Sequence, residues 1–219
     1  MGESEAWSGG AAPRQMAERL RLILSELGFD KPTIIALDMG GQAALEYAAR
    51  YPEYVRNLIV MNSLVFGDEK TSWEIQVLRK YGWNRWLLRN FPRVVFFRAT
   101  RTFLSVSSSL PTEIASDLWK SFRRNEVRQF ISRMCAGYEG SLPNLPLRYS
   151  KIKCPTLILW GEQDKHFPIS HAQRLHKAVS GSKLEILAGA WHWMIWEHAD
   201  RVADSANRFI QSGKTQVTQ

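Results

Sequence analysis

Apolar positions recur along this chain with two different periods. Leu20, Ile23, Leu24 and Leu27 fall at helical spacing, with Pro13 suited to a first helical position and Gly28 to a C-terminal stop. Thr33 to Leu37 is a short apolar run between Pro32 and Gly40-Gly41, which predicts a strand. Ala43, Ala44, Tyr47 and Ala48 restore a helical stripe that stops near Tyr51-Pro52, and Leu58 to Met61 predicts a second strand.

From about Lys151 the alternation returns. Thr156 to Trp160 has no polar position after its first residue, so both faces of that strand should be covered, as in the middle of a parallel sheet. A helix around Ala172 to Val179, a strand from Leu184 to Leu187 and a helix from about Arg201 to Ile210 complete the pattern. Strands alternating with helices imply right-handed crossovers, so the class is α/β with a mostly parallel sheet flanked by helices. Residues 64–150 read differently. They are rich in helix formers and in aromatics such as Trp73, Trp83, Trp86, Phe96 and Trp119, with nothing resembling a buried parallel strand. The predicted organisation is a core built from 1–63 and 151–219, with a helical cap over 64–150 inserted between the two sheet halves.

Composition narrows the class without naming a function. The 219 residues are 45% hydrophobic and 23% charged, which excludes a disordered or collagen-like chain. Cys135 and Cys154 lie in dissimilar apolar settings and are expected to be reduced and buried, which suits a cytoplasmic protein. Met1 to Gly10 carries two acids and no apolar run of the secretory type, and no stretch is long enough to span a bilayer. The net charge of +8 is unevenly placed, because no acid occurs between Glu74 and Glu113 while Arg79, Lys80, Arg85, Arg89, Arg93, Arg98 and Arg101 all do. Such a block could face anionic lipid, nucleic acid or an acidic substrate, but a solvated helix face is the expectation, with no nucleic-acid partner.

Three polar residues stand at the ends of predicted strands. Asp38 follows Thr33 to Leu37, Asp164 follows Thr156 to Trp160, and His192 follows Leu184 to Leu187. In a parallel sheet all three reach the same, carboxyl edge. Taken singly, Asp38 could be a helix N-cap and His192 a packed residue between two tryptophans. His166, His171 and His176 lie five apart, which does not align them for a metal, and Gly40-Gly41 lacks the spacing and lysine of a phosphate loop. No cofactor is expected.

These segments resemble the α/β-hydrolases. Ala36-Leu37-Asp38-Met39-Gly40-Gly41 matches that family's nucleophile elbow, usually Gly-His-Ser-Met-Gly-Gly, with aspartate in place of serine. Tyr47-Ala48-Ala49-Arg50-Tyr51-Pro52-Glu53, Cys154-Pro155-Thr156 through Gly161-Glu162 with Asp164, and Gly189-Ala190 before His192 are also typical. The resemblance implies an aspartate-nucleophile branch like the epoxide hydrolases and the haloalkane and haloacid dehalogenases. It implies Asp38 as nucleophile, His192 as general base, Asp164 orienting His192, and the Met39 backbone N–H at the oxyanion or halide. Tyr138 and Tyr81 become candidate ring-opening acids and Trp193 a further substrate contact. For a halide, Trp73, Trp83, Trp86 or Trp119 could stand in for the indole that Met39 does not supply. The expected substrate is a small apolar epoxide, with an organohalide as the alternative.

The family also places four strands and a helix ahead of the elbow strand, whereas 32 residues precede Thr33 here. Met1-Gly2-Glu3-Ser4 resembles the loop after the fourth of those strands, so the chain reads as an incomplete α/β-hydrolase lacking the first strands and one oxyanion donor. The expected consequence is an exposed edge on Thr33 to Leu37, open to a homodimer or a separately encoded partner. A catalytically silent remnant or small-molecule binding protein is the competing class.

Overall fold

The computed structural model describes residues 10–215, so the reading of Met1 to Ser4 lies outside the described residues. Four strands form one sheet in the order β1 (Thr33–Leu37), β2 (Asn57–Met61), β3 (Thr156–Gly161), β4 (Lys183–Leu187), and every pairing is parallel. Helix α1 (Pro13–Glu26) precedes β1, and α2 (Met39–Arg50) crosses from β1 to β2. Between β2 and β3 come α3 (Trp73–Arg79), α4 (Tyr81–Asn90), α5 (Pro92–Phe103), α6 (Thr112–Phe122) and α7 (Asn125–Ser141), referred to below as the cap. Helix α8 (Ile169–Ala178) links β3 to β4, and α9 (Met194–Glu197) and α10 (Ala199–Thr215) follow.

The unbroken apolar runs of the central strands have a direct cause. Leu58, Val60, Ile158 and Trp160 face one core with α2 and α8, while Ile59, Met61, Leu157 and Leu159 face a second core with Met194, Val202 and Phe209. All eight are at most 3% exposed. Each such side chain contributes about 1.5–3 kcal/mol by leaving water, so neither face tolerates a polar residue.

The sheet edge differs. β1 pairs only with β2 among the described residues, and Ile35 is 52% exposed. The apolar stripe expected to bury α1 is covered only in part. Leu20 and Leu24 pack on the core, but Ile23 and Leu27 remain more than half exposed. Among the described residues nothing beside β1 covers that side, so the helical period was legible while the burial it normally signals was not.

Candidate active site

The turn from β1 into α2 is sharp. Asp38 has φ 51° and ψ −120°, a strained backbone for a residue with a side chain, of the kind that persists where the surroundings over-determine it. Its N–H donates to the carbonyls of Met61 and Asn62 at 3.3 and 3.1 Å, and Ser63 Oγ donates to its carbonyl at 2.7 Å. Gly41 lets α2 approach this close, since a Cβ there would lie 2.5 Å from Ser63 Oγ. The Asp38 side chain is 29% exposed and stands on the wall of a cavity.

Behind it lies an ordered relay. Asp164 Oδ1 accepts the backbone N–H groups of His166 and Phe167 at 2.7 and 3.1 Å, which leaves Oδ2 to His192 Nδ1 at 2.8 Å. His192 Nε2 then points toward Asp38 Oδ1 at 3.8 Å. The imidazole is 1% exposed and boxed by Phe103 and Phe167 at 4.8 and 5.4 Å between ring centres. Burial by itself would lower the pKa of His192. Asp164, and then Asp38, outweigh burial and hold it up at about 10.

The sequence-predicted residues divide into two groups. Asp38, Asp164 and His192 come together, and Met39 and Trp193 line the same cavity. Met39 opens α2, where helix geometry leaves N–H groups without an acceptor inside the helix. Tyr138 also lines the cavity, and its hydroxyl is buried with no hydrogen-bond partner among the described residues. Burial, reinforced by Cys135 and Asp38, raises the Tyr138 pKa well above its usual value, so it stays a neutral O–H donor.

Tyr81 is a correction. It sits on the outside of α4, 45% exposed with Arg85 over its ring, and takes no part in the cavity wall. The cap tryptophans are also displaced. Trp73, Trp83 and Trp86 are half exposed or more, and around Trp119 it is Leu118, Ser121 and Phe122 that reach the cavity. Helical rotation explains the two tryptophans of α4, because turning Leu88 inward sends Trp83 and Trp86 outward, whereas Tyr81 opens the helix two turns before Leu88 and is left exposed at that end.

The cavity measures about 260 Å³ and its wall is almost wholly apolar. Gln42 is the exception that sequence reading missed. It lies one turn beyond Asp38 on the cavity wall, 1% exposed, and both amide atoms lack a partner. Cys135 lies nearby, but burial and then the charge of Asp38 push its thiol up to about 12, so it is no rival nucleophile. Arg79 reaches the wall with its charge engaged by Glu139 at 2.7 Å.

Asn62 was missed as well. Fully buried after β2 with φ 33°, it donates to the carbonyls of Trp191 and His192 at 3.1 and 2.9 Å. Its Oδ1 accepts Gly161 N–H at 2.8 Å. One amide therefore ties the histidine loop to the strand that carries Asp164. The signal was an asparagine just past a buried strand, where left-handed backbone is common for that residue type.

A parallel sheet with a strained elbow, and an acid and a histidine on successive later strands, defines the α/β-hydrolase architecture. The model of the alpha/beta hydrolase fold family matches residues 1–199, and the chain belongs to that family. It is 26% identical over 207 residues to the 2-hydroxy-6-oxononadienedioate/2-hydroxy-6-oxononatrienedioate hydrolase of Klebsiella pneumoniae, covering 91% of this chain and 69% of that protein. Among solved structures, a thermophilic esterase from Thermogutta terrifontis superposes with TM-score 0.78 at 19% identity, covering 97% of this chain and 77% of the esterase. A proposed ancestral haloalkane dehalogenase superposes with TM-score 0.81 at 18% identity, covering 98% of this chain and 80% of the other. The chain spans about two thirds of the length of the curated relatives it matches, from 64% to 69% for the first three. No helix among the described residues is long and apolar enough to cross a membrane.

Proposed function

We propose that this chain is a hydrolase that works through a covalent alkyl ester on Asp38 and opens a small apolar epoxide. The observation that carries the reading is Asp38 at a strained elbow on an apolar cavity, with His192 Nε2 at 3.8 Å and Asp164 behind His192 at 2.8 Å. An Asp38 oxygen attacks a ring carbon, the ring carbon–oxygen bond breaks, and the released oxygen takes the Tyr138 hydroxyl proton. The Met39 N–H at the start of α2 is the donor assigned to the charge that develops next. Once the ester has formed, the proton that His192 carries at rest passes through solvent to the Tyr138 phenolate. Neutral His192 then takes a proton from water as that water adds to the ester carbonyl carbon, and collapse frees a diol and restores the Asp38 carboxylate beside a protonated His192. Esterification removes the charge of Asp38, one of the causes that hold His192 near 10, so the imidazole becomes a better base when a base is needed.

Gln42 supports a substrate with one polar oxygen, since its amide needs a partner that the described residues do not provide. The dioate substrates in the names of the curated relatives carry two carboxylates. The cavity suits them poorly, because Arg79, the one lining cation among the described residues, is already paired. A haloalkane or haloacid is the second reading, favoured by Trp193 on the wall beside Asp38.

The test is a single turnover in heavy-oxygen water, followed by peptide mass spectrometry. One label in the peptide bearing Asp38 is expected, with diol rather than halide as product. Turnover without label in that peptide rejects the covalent route, and failure to turn over any epoxide or organohalide favours a binding protein.

A further inference from the structure

Helices α4 and α5 have two working sides. Inward, Leu88, Val95, Phe96 and Phe103 wall the cavity. Outward, Trp83, Trp86, Phe91, Val94 and Phe97 are between 44% and 66% exposed. Three of them touch in series, with ring centres 6.3 Å apart for Trp83 and Trp86 and 5.3 Å for Trp86 and Phe91. A cluster of bulky side chains this apolar is costly to leave in water and marks a contact surface.

The charge around the cluster identifies what it contacts. The seven cations between Glu74 and Glu113 face no acid in that segment, so they account for +7 of the net +8 and the remainder of the chain is close to neutral. Arg79 and Arg98 are neutralised by Glu139 and Glu74. Among the described residues, Lys80, Arg85, Arg89, Arg93 and Arg101 form no ion pair, and all five are exposed. The polar side chains nearby are already used. Asn90 Nδ2 donates to Trp86 O at 2.8 Å, and the Thr100 and Thr102 hydroxyls donate back into α5. What remains is indole, phenyl and valine framed by unpaired arginine.

We infer that the outer face of α4 and α5 is a docking surface for an anionic lipid membrane, with Trp83, Trp86, Phe91, Val94 and Phe97 entering the headgroup boundary and the unpaired cations resting on phosphate. Amphipathic helices that lie on bilayers combine this apolar face with flanking arginine. A second copy fits less well, because a two-fold contact through this face sets arginine against arginine. Nucleic acid fits less well because, among the described residues, the Asn90 amide donor and the Thr100 and Thr102 hydroxyls of this face are already engaged, and Val94 offers no ring to stack on. The inference does not depend on the chemistry proposed for Asp38.

The experiment is co-sedimentation of the full chain with phosphatidylcholine vesicles, with and without phosphatidylglycerol, across a salt series. Binding is expected only with phosphatidylglycerol, weakening as salt rises, with a blue shift of tryptophan emission. Arg85→Gln, Arg89→Gln and Arg93→Gln combined should lower the affinity roughly 100-fold, since each surface cation contributes about tenfold or somewhat less. Trp86→Ser with Phe97→Ser should abolish the blue shift, with circular dichroism reporting whether each variant is folded. The salt series on the unaltered protein stands even if a variant unfolds. Equal binding to neutral vesicles, or no binding to either, overturns the inference. So does a dimer that the Trp86→Ser and Phe97→Ser pair dissociates, or tighter binding to a single-stranded oligonucleotide than to the anionic vesicles.

Discussion

His192 Nε2 stops 3.8 Å from Asp38 Oδ1, too far for a hydrogen bond. A serine at the elbow would need that bond, because its proton must leave as it attacks. A carboxylate has no proton to lose, and the imidazole acts later, on water. The spacing therefore suits the aspartate that the elbow carries. Changing His192→Gln should let Asp38 react once and then stall. Intact-protein mass spectrometry with an epoxide should show a stable adduct on His192→Gln and none on Asp38→Asn.

Tyr138 and Gln42 line a mostly apolar cavity and, among the described residues, carry polar atoms without a partner. Removing a general acid typically costs roughly 10²- to 10⁴-fold, so Tyr138→Phe should slow adduct formation on that scale. Gln42→Leu should instead raise KM, with a smaller effect on kcat. Steady-state kinetics on one epoxide separates the two, and equal losses in both parameters for Gln42→Leu would contradict a binding role.

Gly41 and Ser63 occupy space that only one side chain can fill, since a Cβ on Gly41 would lie 2.5 Å from Ser63 Oγ and 2.6 Å from Ser63 Cβ. Gly41→Ala should cost about 1–3 kcal/mol by overpacking. Adding Ser63→Gly removes both clashing atoms and should recover part of that loss, although it also removes the Ser63 bond to the Asp38 carbonyl. Urea denaturation of the two single variants and the double variant measures the coupling.

Asn62 makes three buried bonds at the base of the histidine loop. Asn62→Ala should destabilise the fold by about 2–3 kcal/mol, as loss of several buried bonds does. It should also slow ester hydrolysis more than ester formation, because the residue it frees is His192. Pre-steady-state kinetics resolves those two steps.

The pKa of His192 is raised from 6.5 to about 10 in the folded chain. A raised histidine contributes stability that is fully present below its unfolded pKa and is lost as pH climbs through the folded value. Melting temperature should therefore fall between about pH 6.5 and 10 on this account. Asp164→Asn removes the main cause of the shift and should flatten that alkaline decline. Melting curves across this window test it, and an unchanged slope in Asp164→Asn would mean that other groups govern it.

Much of this architecture could be read from local chemistry. The apolar runs at Leu58 to Met61 and Thr156 to Trp160 require burial on both faces, and with alternating helices they leave a parallel sheet as the solution. Connectivity then sends Asp38, Asp164 and His192 to one edge. Their meeting was legible because it depends on strand order and chain direction, which a pattern of elements encodes.

Other features arise only when helices choose a rotation and loops choose a neighbour. Tyr81 and Tyr138 both belong to the aromatic-rich segment between the sheet halves, yet Tyr81 is left exposed at the first position of α4 while α7 sets Tyr138 on the cavity wall with Asp38. Gln42 looks like a polar residue on a surface helix, yet it is 1% exposed on the wall of a cavity that α3 to α7 also line. Asn62 looks like a loop residue until Gly161 and the His192 loop converge on it from about 100 and 130 positions away. Periodicity records which face of an element is apolar. Which partner that face meets, and which polar atom is left facing a cavity, follows from long-range packing that no local window contains.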